Sequence, residues 1–229
     1  MPSLSPWVVV RCWHQMSVDK RYAAKVVRRL KKAYPDANCA LVHDSPFQLL
    51  VATILSAQCT DKRVNIVTKD LFGKYPSVDD LAEINIKTLQ KEIKTTGFFR
   101  NKAKNIKQCS QQLVEEHDGE VPREIDEMVE LAGVGRKTAN VVLGTAYGIA
   151  SGVVVDTHVS RISQRLGLTD ETDPEKIEVD LIDQLPKKEW ILYSHRVIHH
   201  GRQVCKARRP LCDDCSMNDI CPRIGVEGD

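Results

Sequence analysis

Four cysteines near the end of the chain restrict its possible folds more than any other feature. Seventeen residues contain the pattern C-x6-C-x2-C-x5-C, formed by Cys205, Cys212, Cys215 and Cys221. Thiolates this close in sequence can enclose one metal centre, because soft sulfur ligands select zinc and iron–sulfur sites. Zinc ribbons usually carry two C-x2-C pairs, and only Cys212 and Cys215 form such a pair here. The spacing therefore favours a single 4Fe–4S cluster held by a loop, with zinc or disulfides as the alternatives.

The remaining cysteines and the apolar residues point to a reducing compartment. Free thiols are scattered in this way in cytosolic proteins, and the scattered positions are Cys12, Cys39, Cys59 and Cys109. No apolar run reaches the roughly 20 residues that a membrane span needs, and no basic segment precedes the first apolar residues, so we expect no signal peptide. We therefore expect a cytoplasmic protein, in which residues 1–17 form a disordered leader or translation starts at Met16.

Helix signals recur along most of the chain. Charged residues make up 28% of it and aromatic residues only 5%, a composition that suits helices better than a sandwich or barrel. Residues that favour a helix start precede periodic apolar segments at Ser45-Pro46, Ser77, Val121-Pro122 and Asp173-Pro174. Only GVVV (152–155) looks like a strand, and four residues are too few for a sheet. The predicted fold class is all-α.

The net charge of +2 conceals a strong segregation of charge. Residues 87–107 carry seven Lys or Arg and one acid, and residues 190–212 carry five Lys or Arg and no acid. Residues 115–130 and 170–183 are strongly acidic. If the two basic segments share one face, they provide the positive surface of a protein that contacts phosphates. Ordinary solvated helix surface is the alternative explanation.

A glycine-rich turn favours the first explanation. Residues 131–139 read LAGVGRKTA, with a helical pattern on each side. Glycine permits positive φ and close approach of the backbone to another surface, and the amides at the start of the next helix favour a phosphate. We predict a helix-hairpin-helix that binds the DNA backbone through Gly133, Val134, Gly135 and Arg136. A simple αα-turn explains the first glycine, but less well the second glycine followed by Arg136 and Lys137.

Several motifs together resemble the endonuclease III family of bifunctional DNA glycosylases. They are LAGVGRKTANVVLGTAYG, VVVDTHVSRISQRLG and HHGRQVCKARRPLCDDCSMNDIC, supported by ILSAQCTD and GFFRNKAKNI. The resemblance runs from about residue 18 to 223. It implies two helical domains flanking a DNA-binding cleft: a six-helix domain over residues 39–149 that ends in the hairpin, and a cluster domain over 18–38 plus 150–229. We expect a monomer, without membrane association, that binds damaged double-stranded DNA. If the protein is bacterial, we expect it in the cytoplasm and associated with the nucleoid.

Two residues would carry the chemistry that the resemblance implies. An amine at Lys137 could attack C1′ of a deoxyribose, expel the base and form a Schiff base, after which β-elimination breaks the strand 3′ to the lesion. A free lysine, with a pKa of about 10.4, is almost fully protonated at neutral pH, so its surroundings must favour the neutral form. Asp156 matches the family's aspartate, which stabilises positive charge developing on the sugar. From the sequence alone, Lys137 could instead bind phosphate and Asp156 could be only a helix N-cap.

The resemblance also assigns residues that fill the gap left by an extruded base. Gln58 matches the residue that plugs the gap, and Phe98 matches an apolar wedge, with core packing as the alternative for Phe98. The chain departs from the family pattern at Ala132, where proline is common, and in the 147–153 loop, which is about one residue longer. We assign no catalytic role to the histidines.

The leading prediction is a DNA glycosylase with abasic-site lyase activity that excises oxidised pyrimidines in base excision repair. Amine and carboxylate chemistry on a sugar needs no electron, so we expect the cluster to have a structural role. We expect it to shape a loop whose Arg208 and Arg209 contact phosphates. One alternative is a monofunctional adenine-mismatch glycosylase, although these generally lack the hairpin lysine. Another is a non-catalytic iron–sulfur module that binds DNA and senses damage.

Overall fold

The computed structural model describes residues 20–226, and these residues are helical without any strand, which confirms the predicted all-α class. The predicted leader (1–17) lies outside the described residues. The described α-helices are α1 (Lys20–Ala33), α2 (Pro46–Ser56), α3 (Asp61–Lys74), α4 (Val78–Glu83), α5 (Ile86–Glu92), α6 (Phe99–Glu116), α7 (Ile125–Glu130), α8 (Arg136–Tyr147), α9 (Thr157–Arg165), α10 (Pro174–Gln184) and α11 (Trp190–Gln203). Short 3₁₀ helices cover Lys94–Thr96 and Lys187–Glu189.

Three of the four predicted helix starts are confirmed by their caps. Ser45 accepts a hydrogen bond from the amide of Gln48 at 3.2 Å, directly before the proline that opens α2. Ser77 forms a capping box with Asp80 at the start of α4. Asp173 accepts the amide of Glu175 at 2.8 Å and precedes the proline of α10. These side chains satisfy backbone donors that lack a partner in the first turn.

The fourth predicted start, at Val121-Pro122, is wrong by three residues. Helix α7 begins at Ile125, and Glu124 before it has an extended backbone. The carbonyl of Val121 accepts the hydroxyl of Tyr147 at 2.8 Å, and Val121 is buried. This contact between Val121 and the end of α8 keeps the segment before Ile125 out of helix α7.

Buried apolar side chains form two clusters. One draws on residues 41–143, from just before α2 into α8, and the other combines α1 with residues 153–217. The first region has seven α-helices where the resemblance implies six, and Asn85 starts α5 directly after Ile84 ends α4. The domain limits themselves stay a prediction, which this grouping of buried side chains supports.

The basic segments are not entirely on the surface. Lys102 is 5% exposed, and its amine donates to two carbonyl oxygens inside the protein. Arg196 is 3% exposed and forms a 2.6 Å ion pair with Glu189. The positive surface is therefore smaller than the count of basic residues suggests.

Candidate functional site

The predicted hairpin joins α7 to α8 through residues 131–135. Gly133 has a φ of 78°, and a Cβ there would overlap the side chain of Asn105. Val134 is buried and anchors the turn, and its amide donates to the carbonyl of Leu131 at 3.0 Å. Gly135 precedes α8 without a side-chain cap, which leaves the first amides of that helix available to an anion.

Lys137 lies in α8 and Asp156 directly precedes α9, and both residues border the same cavity. The cavity measures about 290 Å³, and Gln58 also lines it. Lys137 is the second residue of α8, is exposed and forms no ion pair within residues 20–226. A wider groove beside the cavity also has both residues in its lining. The structure thus brings together the two residues that the sequence assigned to chemistry.

Asp156 is also the N-cap of α9. Its Oδ1 accepts the amides of His158 at 2.9 Å and Val159 at 2.8 Å. Both bonds end on one oxygen, and in the described part of the chain no group donates to Oδ2. The cap therefore fixes the carboxylate while one oxygen stays available.

A buried carboxylate that the sequence analysis missed connects these elements. Glu178 of α10 accepts Arg136 Nε at 3.0 Å through Oε2 and Asn140 Nδ2 at 2.9 Å through Oε1. Ser151 donates to Asn140 Oδ1 at 2.7 Å. Helix α8 is thereby tied both to α10 and to the segment that leads to Asp156. Little in the sequence marks Glu178 as buried, because it is one acid among several in a segment that was interpreted as acidic surface.

The same network constrains Arg136. Its side chain is 49% exposed while its Nε is bound by Glu178. Contact between Arg136 and DNA stays a prediction, which the exposed half of the side chain permits.

Gln58 and Phe98 lie on two exposed turns with unusual backbone. Their φ values are 53° and 46°, in the left-handed region that non-glycine residues occupy at a cost of about 1–3 kcal/mol. Phe98 is 66% exposed, so the core-packing alternative is wrong. Gln58 lines the cavity, whereas Phe98 lies outside its lining.

Helix α11 forms the other wall of the cavity, a feature that the sequence analysis did not use. Arg202 of this helix pairs with Asp61 of α3 at 2.7 Å, so the two walls are joined by an ion pair. Burial, and then the neighbouring His199, lowers the pKa of His195. Burial also lowers the pKa of His158, against the opposing effect of Asp156. Both imidazoles therefore favour the neutral form.

The four C-terminal cysteines line one common cavity of about 30 Å³. Within residues 20–226, no three His, Cys, Asp or Glu side chains lie close enough to hold a single metal ion. The thiols instead surround a shared space, and amides point at two of their sulfurs: Met217 N at Cys215 and Arg223 N at Cys221, each at 3.4 Å. Such donors stabilise thiolate ligands, so this set fits a cluster.

Arg165 fastens the loop that carries these cysteines. It is 8% exposed and donates to Cys205 Sγ at 3.3 Å, and to the carbonyls of Lys206 and Ala207 at 2.8 Å each. His200 faces Cys215 Sγ at 3.7 Å and Tyr34 at 3.0 Å, and burial lowers its pKa to about 4. The loop is thus held from α9 and α11.

Arg208 and Arg209 lie in the turn between the first two cysteines. Both are exposed, so the structure leaves them accessible to a phosphate. None of the described helices is long and apolar enough to cross a membrane.

Two family models match the chain. A model described as "HhH-GPD superfamily base excision DNA repair protein" matches residues 51–187. A second, described as "Iron-sulfur binding domain of endonuclease III", matches residues 205–221, the interval from the first to the last of the four cysteines. The residues present thus fit a 4Fe–4S cluster, as the cysteine spacing predicted.

Individual relatives agree with these models. Endonuclease III of Synechocystis sp. is 53% identical over 208 residues, which are 91% of this chain and 95% of the relative. A solved non-covalent endonuclease III–DNA complex is similar with a TM-score of 0.84 and 44% identity, covering 89% of this chain and 95% of the other. A trapped covalent endonuclease III–DNA intermediate gives the same TM-score and identity, covering 89% and 96%.

Proposed function

Because the chain belongs to the endonuclease III family of base-excision DNA repair proteins, we propose that Lys137 and Asp156 are its catalytic pair. The protein is a DNA glycosylase and abasic-site lyase. The observation that carries the proposal is that an exposed lysine in α8 and the carboxylate that caps α9 border one cavity. The proposed substrate is an oxidised pyrimidine in double-stranded DNA.

The first chemical step exchanges one bond at C1′ for another. The lone pair of the Lys137 amine forms a C–N bond to C1′, and the bond from C1′ to the base breaks with its electron pair on the departing base. The base takes up a proton as it leaves. Asp156 stabilises the positive charge that develops on the sugar during this exchange. Its geometry suits that task, because the cap holds Oδ1 and leaves Oδ2 available.

The second step breaks the strand. The nitrogen loses a proton, and the C1′–O4′ bond breaks with its electron pair on O4′, which takes up a proton. This opening of the sugar gives a Schiff base between Lys137 and C1′, which makes the C2′ proton acidic. Loss of that proton drives elimination of the 3′ oxygen with its phosphate, and water then hydrolyses the Schiff base to return the amine. No electron is exchanged with an external donor in either step.

The other predicted residues would bind and distort the DNA. The uncapped amides in the first turn of α8 suit a backbone phosphate, and Gln58 and Phe98 would fill the gap left by the extruded base. A bound 4Fe–4S cluster would crosslink the four cysteines and so set the shape of the loop. That loop presents Arg208 and Arg209 to a phosphate. We also propose a monomer at work on nucleoid DNA, since residues of one chain form the whole site.

The test is borohydride trapping on duplex DNA that contains thymine glycol. Native protein is expected to give a covalent protein–DNA adduct, and Lys137→Ala is expected to give none. Lys62→Ala, an exposed lysine of α3 outside the cavity lining, is the matched control and should trap normally. An adduct from Lys137→Ala would assign the nucleophile elsewhere, and base release without any adduct would indicate a monofunctional glycosylase.

A further inference from the structure

The two exposed turns that carry Gln58 and Phe98 meet at one buried amine. Lys102 lies in the first turn of α6, and 5% of it is exposed. Its Nζ donates to the main-chain oxygen of Leu55 at 2.8 Å and to that of Thr96 at 2.8 Å. A single side chain therefore bridges two segments that are 41 residues apart in sequence.

Both carbonyls that accept from Lys102 lie at the C-terminal end of a helix. Leu55 is in the last turn of α2, and Thr96 is the last residue of the 3₁₀ helix Lys94–Thr96. Carbonyls at helix ends lack a partner within the helix and carry partial negative charge, so a cation there is favourable. An ammonium group has three donors and can serve both carbonyls at once. Burial lowers the pKa of Lys102, and the same burial keeps water from competing for these bonds.

Each acceptor lies just before a strained residue. Gln58 follows Leu55 by three residues, and Phe98 follows Thr96 by two. Both have positive φ, a conformation that persists in non-glycine residues only where the surroundings hold it. The backbone of Lys102 adds a further contact, since its amide donates to the carbonyl of Phe98 at 3.1 Å.

We propose that Lys102 is a positioning residue that fixes the Gln58 turn and the Phe98 turn relative to each other. Both side chains then enter the duplex together, one at the gap and one beside it. Lys102 itself is buried, so this role requires no contact between its amine and DNA. The inference rests on the gap-filling roles proposed above for Gln58 and Phe98.

The experiment is a pair of double-mutant cycles on the full chain. Lys102→Met keeps the length and apolar volume of the side chain and removes both donors. It is combined with Gln58→Ala in one cycle and with Phe98→Ala in the other, and single-turnover base release from a thymine glycol duplex is measured. Lys102→Met is expected to slow release about tenfold or more, and the combined losses should be smaller than the product of the single losses.

Two controls separate positioning from general destabilisation. Lys107→Met removes a lysine of the same helix whose amine donates to the carbonyl of Ile84 at 2.8 Å, away from both turns, and should leave base release unchanged. Cleavage at an abasic site in single-stranded DNA, where no stacked gap must be filled, should be much less affected by Lys102→Met than base release from the duplex. If Lys102→Met does not fold, Lys102→Arg takes its place in both cycles, because it keeps the charge and displaces the turns.

Different results would contradict the positioning role of Lys102 and the gap-filling roles of Gln58 and Phe98. Multiplicative losses in both cycles, or an equal loss on the single-stranded abasic site, would overturn the role of Lys102. If Gln58→Ala and Phe98→Ala both release base at the native rate, the gap-filling proposal fails instead.

Discussion

Gly152 lies so close to Glu178 that a Cβ at residue 152 would overlap the Oε1 atom of the glutamate. The same oxygen accepts a hydrogen bond from Asn140, and the other carboxylate oxygen accepts one from Arg136. The missing side chain therefore allows α10 to reach α8 past the segment that leads to Asp156. This close packing is a condition for holding Lys137 and Asp156, the proposed catalytic pair, against one cavity.

We expect Gly152→Ala to destabilise the protein by about 1–3 kcal/mol, because the added methyl group must displace a buried, hydrogen-bonded carboxylate. The loss should appear in urea unfolding, together with slower formation of the borohydride adduct. Gly73→Ala is the control, since Gly73 lies in α3 and a Cβ there would meet nothing within 4 Å. The network has no such role if both variants unfold at the native midpoint.

Asp156→Asn separates the cap from the carboxylate charge. Asparagine caps a helix about as well as aspartate, so the free energy of unfolding should change by less than about 1 kcal/mol. Base release should fall by about 100-fold or more, since the negative charge facing the sugar is lost. Single-turnover base release and urea unfolding measure the two effects. If Asp156→Asn folds normally and keeps native activity, Asp156 acts only as the N-cap of α9.

The sequence was sufficient for the helical class and most helix starts. Ser77 and Asp173 act through residues two or three positions away, so their effect is visible in a short window. Lys137 and Asp156 stand out in the sequence because each occurs in a recognisable motif, and their catalytic roles stay a proposal. Their common cavity then follows from the packing of α8 against the segment before α9.

Long-range polar contacts could not be predicted in this way. Glu178 and Lys102 each occur in a charged segment, and nothing local marks either as buried. Each is buried because partners distant in sequence satisfy it: Asn140 is 38 residues from Glu178, and Leu55 is 47 residues from Lys102. The late start of α7 has the same cause, a hydroxyl from Tyr147 that only the folded chain brings to Val121.

The cluster loop should contribute to DNA affinity through charge. Replacing Arg208 and Arg209 with alanine is expected to weaken binding and to reduce the slope of log affinity against log salt by up to about one unit for each phosphate that the variant no longer binds. Fluorescence anisotropy with duplex DNA over a range of salt concentrations measures both. Lys31→Ala with Lys32→Ala removes the same charge from the exposed end of α1 and should change the slope less. If the two double variants have the same slope, Arg208 and Arg209 do not contact phosphates and the loop is not part of the DNA interface.

Acid should destabilise the protein through its buried imidazoles. The pKa of His195 is lowered by burial and by His199, so the unfolded chain takes up a proton near pH 6.5 that the folded chain resists. The folded state therefore binds fewer protons below that pH, and its stability is lost as the pH falls from about 6.5. We expect His195→Gln to flatten the pH dependence of urea unfolding in this window, with the visible absorbance of the cluster followed to confirm that it stays bound. His117→Gln, at the end of α6 and outside the cavity lining, should leave the dependence as in the native protein. If His195→Gln loses stability as steeply as native protein, the acid sensitivity arises at other groups.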